Sequence, residues 1–273
     1  MHAGKWGWSH SAKMFISLTS LMMMMMIMMM MMMMMTICLI QAEYSDLFSD
    51  ELGKLPVTYS MTLDPDMRPV VRPAHRVPMA MKDRVKAELD RMQDLGVITP
   101  VSEPTDWVSS MVATNKKDKQ EIRIRINPRD LNTVLKRPHH PMRNVEEVAV
   151  QMSGATVFLI LDAKSSFWQI SLNHRSSMLT TFSTPFGRYR FLRMPFGLNS
   201  ASEVFQCSME QIFTGYPCAV IVDDILIGGK TIEEHDANMR KVLNRAREMN
   251  LRQQAEVQVP AERGQLCWPC FHK

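Results

Sequence analysis

Three aspartates lie where carboxylates could do chemistry. Asp223 and Asp224 are adjacent and flanked on both sides by apolar runs, and Asp162 directly follows the apolar run 157–161. Carboxylates beside buried strands are costly unless a cation faces them. Hard oxygen ligands of this kind suit Mg²⁺, with Mn²⁺ as a substitute. Two such ions about 4 Å apart could activate an attacking hydroxyl and stabilise the leaving oxygen of a phosphoryl displacement. Alternatively, the adjacent aspartates form an ordinary hairpin turn, where Asp is common.

Hydrophobic periodicity predicts the elements that must position these aspartates. Apolar residues spaced by three and four predict a helix over 83–95, which Gly96 would end. Isoleucines that alternate with arginines predict a half-buried strand over 122–126. The apolar runs 157–161, 219–222 and 225–227 predict buried strands, of which the last two form a hairpin around the paired aspartates.

A capping box, Thr231 with Glu234, predicts the start of another amphipathic helix over 231–250. The order of strands and helices lacks regular βαβ alternation, which favours an α+β fold.

Charge is concentrated in one segment of this 273-residue chain. The formal net charge is only +4, yet residues 114–137 hold eight Lys or Arg against three acids. Such a block could neutralise nucleic-acid phosphates or could be the solvated face of a hairpin. Five scattered cysteines do not indicate a disulfide framework, which favours a reducing compartment.

The amino-terminal region, 1–42, is a low-complexity leader. Residues 21–40 are apolar except for Thr36, and most of them are Met. This length could span a bilayer as a signal anchor, whereas near-pure Met favours a translated nucleotide repeat. At the other end, the spacing of Cys267 and Cys270 offers an isolated C-x-x-C motif.

Several motifs resemble those of gypsy-type LTR retrotransposon reverse transcriptases in order and spacing. The palm-like motifs are LILDAKSSFWQI (159–170), LTTFSTPFGRYRFLRMPFGLNSASEVFQ (179–206) and AVIVDDILIGG (219–229). The fingers-like motifs are FSDELGKLPVTYSMTLDP (48–65), DLGVITPVSEPTDWVSSMV (94–112), INPRDLN (126–132) and KRPHHPM (136–142). The resemblance covers about residues 43–251.

This resemblance implies an α+β right-hand polymerase fragment with fingers and palm and with the thumb missing. We expect fingers-side residues over 43–150 and a palm over 151–251, with an antiparallel sheet backed by helices near 200–213 and 231–250. The implied function is RNA-directed DNA polymerase, with weak or no activity because the chain is truncated. The divergent tail, 252–273, is interpreted as frameshifted: a permitted back-translation, read one nucleotide along, encodes a segment resembling the family's continuation.

The resemblance also assigns roles to individual residues. It implies that Asp162, Asp223 and Asp224 are the catalytic ligands of two Mg²⁺ ions. Phe167 would be an aromatic gate beneath the incoming sugar, or simply a core aromatic. The other residues implied to contact substrate are Lys116 and Arg123 at the triphosphate, Gln169 near the primer-template, and Pro195, Phe196 and Gly197 beneath the templating pair.

Two positions depart from the family pattern, with Asn127 in place of Asp and Ser166 in place of the common Gly. The implied partners are an RNA or DNA template with primer and deoxynucleoside triphosphates, and no specific protein partner. The implied location is the cytoplasm or nucleus, in a retroelement particle. The alternatives are a non-catalytic nucleic-acid-binding or interaction protein that reuses the palm, and a single-pass membrane protein anchored by 21–40.

Overall fold

The computed structural model describes residues 23, 24, 28, 35, 38–66, 68–115 and 122–253. The chain divides into two compact units, Met1–Ser45 and Asp46–Lys273. In the first unit, residues 38–43 are helical. No helix within the described ranges is long and apolar enough to cross a membrane.

Two stretches with sequence-based expectations fall mostly outside the described residues. Only scattered positions of the leader, 1–42, are described, so the anchor interpretation of 21–40 stays a prediction. The tail is described only as far as Gln253, and the C-x-x-C motif lies beyond that point.

The second unit contains the elements that position the aspartates. Its strands within the described ranges are β1 (Thr58–Tyr59), β2 (Ile98–Pro100), β3 (Ser109–Asn115), β4 (Ile122–Asn127), β5 (Val157–Asp162), β6 (Ser171–Leu172), β7 (Phe182–Thr184), β8 (Gly187–Phe191), β9 (Cys218–Ile221) and β10 (Asp224–Gly229). Its α-helices there are α1 (Met79–Asp94), α2 (Arg129–Val134), α3 (Val145–Gln151), α4 (His174–Leu179), α5 (Ala201–Phe213) and α6 (Ile232–Glu248). A 3₁₀ helix spans Ser166–Gln169. The expected α+β class is confirmed.

A five-stranded sheet has the order β2-β8-β7-β3-β4. Its edge strand β4 confirms the predicted alternation, because Ile122, Ile124 and Ile126 are buried while Arg123 and Arg125 are exposed. Helix α1 packs against β4 and β2. The sheet draws β7 and β8 from the 151–251 range and its other strands from the 43–150 range, so the two ranges share one layer.

Helix α1 begins four residues before the predicted start. Its buried stripe is Val85, Leu89 and Met92, and Gly96 follows its end with a positive φ of 64°. The first turn was missed because residues there are largely exposed, as at Met79, and add nothing to the apolar periodicity.

A three-stranded antiparallel sheet, of order β5-β10-β9, carries the aspartates. Helix α5 packs against β9, and α6 packs against β10 and β5. These helices lie where 200–213 and 231–250 predicted them. The sheet is thus a rigid, buried platform whose one end presents polar side chains.

The capping box at the start of α6 forms only in part. Thr231 Oγ1 accepts the N–H of Glu234 at 3.2 Å, as predicted. The Glu234 carboxylate instead accepts the N–H of Lys230 at 2.8 Å. This bond ties the end of β10 to the helix and so fixes the hairpin from its far side.

Candidate active site

The turn between β9 and β10 is a two-residue loop. Ile221 pairs with Asp224, so Val222 and Asp223 form the loop itself. Val222, which the sequence placed in a strand, has a φ of 50°. A positive φ at the first loop residue but not at the second is typical of a type II′ turn, where Gly is preferred at the first position. A β-branched residue there is strained, at a cost of about 1–3 kcal/mol.

Gln206 holds this strained turn from α5. Its Oε1 accepts the N–H of Val222 at 2.6 Å, and its Nε2 donates to the carbonyl of Val220 at 3.0 Å. The side chain is fully buried. Sequence analysis missed this residue, although a glutamine three positions before the core residue Met209 on an amphipathic helix was a signal that could have drawn attention.

Asp162 and Asp224 are direct partners in the antiparallel register of β5 and β10. Directly opposite residues point to the same face with Cβ atoms about 4.5–5.5 Å apart, and like charges placed there repel. Burial, then Asp162, then Asp223 raise the pKa of Asp224 to about 6. The site therefore brings acidic side chains close enough for their repulsion to raise the pKa of Asp224.

Asp223 is buried more deeply than a turn aspartate usually is. Burial raises the pKa of Asp223, and a hydrogen bond from the Ser166 side chain opposes the rise. Its Oδ1 is buried and has no hydrogen-bond partner. Ser166, the departure from the family pattern, thus contacts the aspartate that most needs a donor.

These carboxylates fit a divalent cation by donor chemistry but do not form a finished cage. Hard oxygen donors, mutual repulsion and the unpaired Oδ1 of Asp223 are features that a cation would relieve. Among the residues that the structure describes, however, no group of three or more His, Cys, Asp or Glu side chains is arranged to hold a metal ion.

An aromatic cluster lies beside the aspartates. The Phe167 ring centroid is 4.9 Å from that of Phe196 and 5.8 Å from that of Phe205. Phe167 is 9% exposed. Two residues predicted to contact substrate, Phe167 and Phe196, are therefore in direct contact with each other.

The loop containing Pro195, Phe196 and Gly197 is fastened to the start of α2. Gly197 has a φ of 105°, and a Cβ there would lie 3.1 Å from the carbonyl oxygen of Ile126. Asn132 donates to the Gly197 carbonyl at 2.9 Å. The loop is thus held against the end of β4.

The segment of the KRPHHPM motif is fastened to α5 by two acids. Glu203, which is buried, pairs with Arg137, and Glu210 contacts His140 at 2.8 Å and Arg143 at 3.0 Å. These pairs join a fingers-like motif to α5, the helix whose Gln206 binds the turn between β9 and β10.

The remaining predicted substrate residues have different environments. Lys116 lies outside the described residues, and Arg123 is exposed on β4. Gln169 is fully buried, and its amide bonds to main-chain groups of Lys164 and Arg252. Gln169 is thus placed in the interior in this structure, whereas Arg123 is open to solvent.

A three-stranded sheet with paired aspartates at its hairpin end and two helices behind it is the architecture of a polymerase palm. The sequence model of the "Reverse transcriptase (RNA-dependent DNA polymerase)" family matches residues 114–256, which is more than half of the chain. The chain belongs to this family.

Curated relatives agree with that assignment. The chain is 31% identical over 222 residues to a Caenorhabditis elegans protein, "Uncharacterized protein K02A2.6", covering 80% of this chain and 17% of that protein. It is 30% identical over 193 residues to the "Retrovirus-related Pol polyprotein from transposon gypsy" of Drosophila melanogaster, covering 68% of this chain and 19% of that protein. The chain spans less than one fifth of the length of these relatives.

Solved structures share the fold at low identity. The prototype foamy virus protease-reverse transcriptase matches with a TM-score of 0.73 at 17% identity, covering 82% of this chain and 30% of that one. A foamy viral protease-reverse transcriptase in complex with an RNA/DNA hybrid matches with a TM-score of 0.71 at 15% identity, covering 81% of this chain and 30% of that one. The expected polymerase fold is confirmed.

Proposed function

We propose that this chain is the fingers and palm part of a retrotransposon RNA-directed DNA polymerase, which joins deoxynucleotides to a primer 3′-hydroxyl. The observation that carries the proposal is the pairing of Asp162 with Asp224 at the end of a hairpin whose loop holds Asp223. Within the chain we assign 43–150 to the fingers side and 151–251 to the palm.

Asp162, Asp223 and Asp224 would hold two Mg²⁺ ions, for which Mn²⁺ could substitute. When bound, such ions activate the attacking hydroxyl and stabilise the leaving oxygen. The protein's own contribution is to hold the carboxylates on a rigid sheet end, where their repulsion favours a cation. The buried Oδ1 of Asp223 supports this assignment, because a carboxylate oxygen without a donor is stabilised by a positive ligand.

Other residues would position the nucleotide and the template. Arg123, exposed on β4, would bind triphosphate oxygens together with Lys116, as a cationic clamp does in phosphoryl transfer. Phe167 would exclude a 2′-hydroxyl of the incoming sugar by size, and Phe196, whose ring centroid is 4.9 Å from that of Phe167, would lie beneath the templating pair with Pro195 and Gly197. The template and primer would be held mainly through their backbones, in the cytoplasm or nucleus.

Primer extension under enzyme excess tests the proposal. The purified chain is mixed with an oligo(dT) primer on poly(rA), dTTP and Mg²⁺, and single-nucleotide addition is followed. We expect the unchanged chain to show at most weak addition, which is why enzyme excess is used, and Asp223→Asn to lower it at least about a hundredfold, since a metal ligand is removed. Asp66→Asn, in an exposed loop, is the matched control and should retain addition.

The same experiment separates the proposal from a non-catalytic role. Template-primer binding is measured in parallel by fluorescence anisotropy. Tight binding without any addition in Mg²⁺ or Mn²⁺ would assign the chain to non-catalytic nucleic-acid binding and overturn the proposed function.

A further inference from the structure

We propose that Gln169 is a positioning residue that joins an upstream segment, 46–55, to the turn after Asp162. The joint consists of residues 46–55, 163–164, 169 and 250–253, and we call it the Gln169 joint. Its existence rests on contacts alone. Its relevance to catalysis rests on the proposed function of Asp162 and Asp223.

The Gln169 amide is satisfied entirely inside the protein. Its Nε2 donates to the carbonyls of Lys164 at 2.8 Å and Arg252 at 2.9 Å. Its Oε1 accepts the N–H of Arg252 at 2.8 Å. Both N–H donors are therefore used on two different chain segments, and the side chain has no exposed surface.

The upstream segment fits closely against this amide. A Cβ on Gly53 would lie 2.1 Å from the Gln169 Oε1 and 2.8 Å from the carbonyl oxygen of Asn250, so only Gly fits there. Leu55 donates its N–H to the Gln169 carbonyl at 2.9 Å, and Lys54 donates to the Asn250 carbonyl at 3.1 Å. The chain thus passes directly over the Gln169 side chain.

The joint continues from the upstream segment into the turn after Asp162. Lys164 Nζ donates to the Ser49 carbonyl at 3.1 Å and to Asp50 at 2.6 Å. Gln253 donates its N–H to the Leu47 carbonyl at 2.9 Å and forms a β-bridge with Ala163. The residues that follow Asp162 are therefore held by main-chain bonds from the carboxyl-terminal part of the joint.

One further hydrogen bond connects the joint to the turn between β9 and β10, which contains Asp223. Ala163 donates its N–H to the Asp223 carbonyl at 2.8 Å. Ala163 lies between Asp162 and Lys164, so loosening the joint should loosen the backbones of both Asp162 and Asp223. The upstream segment lies outside residues 114–256, which match the reverse transcriptase family, yet it supports the same site.

Gln169→Glu tests the joint with almost no change in size. The substitution replaces the amide nitrogen, which donates to two carbonyl oxygens, by a carboxylate oxygen. Two hydrogen bonds are lost, and the carboxylate oxygen repels both carbonyl oxygens. We expect amide hydrogen exchange in the full chain, read by mass spectrometry, to rise at least about tenfold together in 46–55, 162–165 and 250–253. The β3–β4 hairpin should keep its protection.

Gln211→Glu is the matched control, because Gln211 is an exposed glutamine on α5 whose amide contacts only Cys207 among the described residues. It should leave exchange in all three segments unchanged. If Gln169→Glu accelerates exchange only at 167–171, or nowhere, the joint does not exist as proposed.

Gly53→Ala gives a second route that leaves Gln169 intact. Its added Cβ should displace the upstream segment and again raise exchange at Ala163, whose N–H reports on the bond to Asp223. Unchanged protection of Ala163 in a variant whose segment 46–55 is loosened would overturn the positioning role and leave only a structural one.

Mn²⁺ binding, read by electron paramagnetic resonance, links the joint to the proposed metal ligands. We expect both variants to weaken Mn²⁺ at least about fivefold, while Gln211→Glu binds as the unchanged chain does. If exchange rises in the three segments while the variants bind Mn²⁺ as tightly as the unchanged chain, Gln169 does not position the proposed metal ligands. Failure of the unchanged chain to bind Mn²⁺ would count against the proposed function, while the exchange data would still decide the joint.

Discussion

The carboxylate turn, residues 220–224, and the Gln169 joint both contact the end of β5, but the amide at the centre of the joint and the carboxylates of the turn differ in how they are paired. In the joint, the buried amide of Gln169 has its donors and acceptor paired within 2.9 Å. In the turn, Asp223 keeps an unpaired buried oxygen, and Asp224 faces Asp162 directly. The Gln169 amide is therefore satisfied and Asp223 is not, although Ser49 Oγ, Arg252 Nε and the side-chain amide of Gln253, also in the joint, are buried without a hydrogen-bond partner among the described residues.

The paired amide of Gln169 and the unpaired oxygen of Asp223 fit different roles, since one supports the backbone and the other would bind a cation. A support is stable when every buried polar group has a partner. A site that binds a cation must keep acceptors unpaired, and it pays for them in stability. Gln206 serves both needs, because its amide bonds to main-chain groups of Val220 and Val222 and not to the carboxylates of Asp223 and Asp224.

Removal of the two hydrogen bonds from Gln206 to the turn, which we call the Gln206 bracket, should have the largest effect on the free energy of unfolding. Gln206→Leu keeps the volume but leaves the N–H of Val222 and the carbonyl of Val220 without this partner. Each buried unsatisfied group costs about 1–3 kcal/mol, so we expect a loss of about 2–4 kcal/mol in the free energy of unfolding. Urea denaturation measures it.

Gln211→Leu, on the exposed part of the same helix, controls for the change of residue type. It should shift the free energy of unfolding by no more than about 0.5 kcal/mol. If Gln206→Leu costs as little as this control, the bracket does not hold the turn.

Removal of the charge repulsion at Asp224 should raise the free energy of unfolding, whereas Gln206→Leu should lower it. Burial and the neighbouring aspartates raise the pKa of Asp224 from its ordinary 3.8 to about 6, so between these pH values the folded state holds a proton that the unfolded state has lost. Stability contributed by this group therefore falls as pH rises from about 4 to about 6, and the penalty is complete above pH 6. Asp224→Asn should then stabilise the metal-free protein at pH 7.5 by roughly 1–2 kcal/mol, after allowance for partial solvent screening.

The measurement is urea denaturation in EDTA at pH 4 and pH 7.5. The gain should shrink to about a fifth at pH 4, where the folded carboxyl is protonated and the unfolded one is only about half ionised. A gain of equal size at both pH values would indicate that repulsion at Asp224 is not its source.

The sequence predicted the platform of the site better than its fastenings. Strand β4, the β9–β10 hairpin and helix α6 follow from the hydrophobic pattern, because burial on one face imposes a local pattern, and α5 was expected from the family resemblance. The amide bonds of Gln206 leave no such pattern, since they join residues 14 and 16 positions apart in the sequence. The positive φ of Val222 leaves none either, because Val at that position reads as part of the apolar run. Gln169 was expected beside the primer-template, and its burial depends on segments more than 80 residues away.

Replacement of Val222 by Gly tests whether the turn stores backbone strain. Gly accepts a φ of 50° without a steric penalty, but it loses side-chain contacts and adds unfolded-state entropy. We expect a net stabilisation of about 0.5–1 kcal/mol. Val112→Gly, in an exposed position of β3, is the control and should destabilise, because that strand residue has no positive φ to relieve. Equal losses in both variants would show that the turn is unstrained.

The smallest effect should come from the rim of the Gln169 joint. Arg247 forms two hydrogen bonds to Asp46, at 2.9 and 2.6 Å, and lowers the pKa of that carboxyl chiefly through them. Both side chains are more than 40% exposed, so water and salt compete with the pair. Arg247→Ala should cost less than about 1 kcal/mol by urea denaturation, and 0.5 M NaCl should shrink even that. A cost comparable to that of Gln206→Leu would mean that the joint depends on its charged rim, and the contrast between the buried, paired amide of Gln169 and an exposed, weakly bound edge would then be wrong.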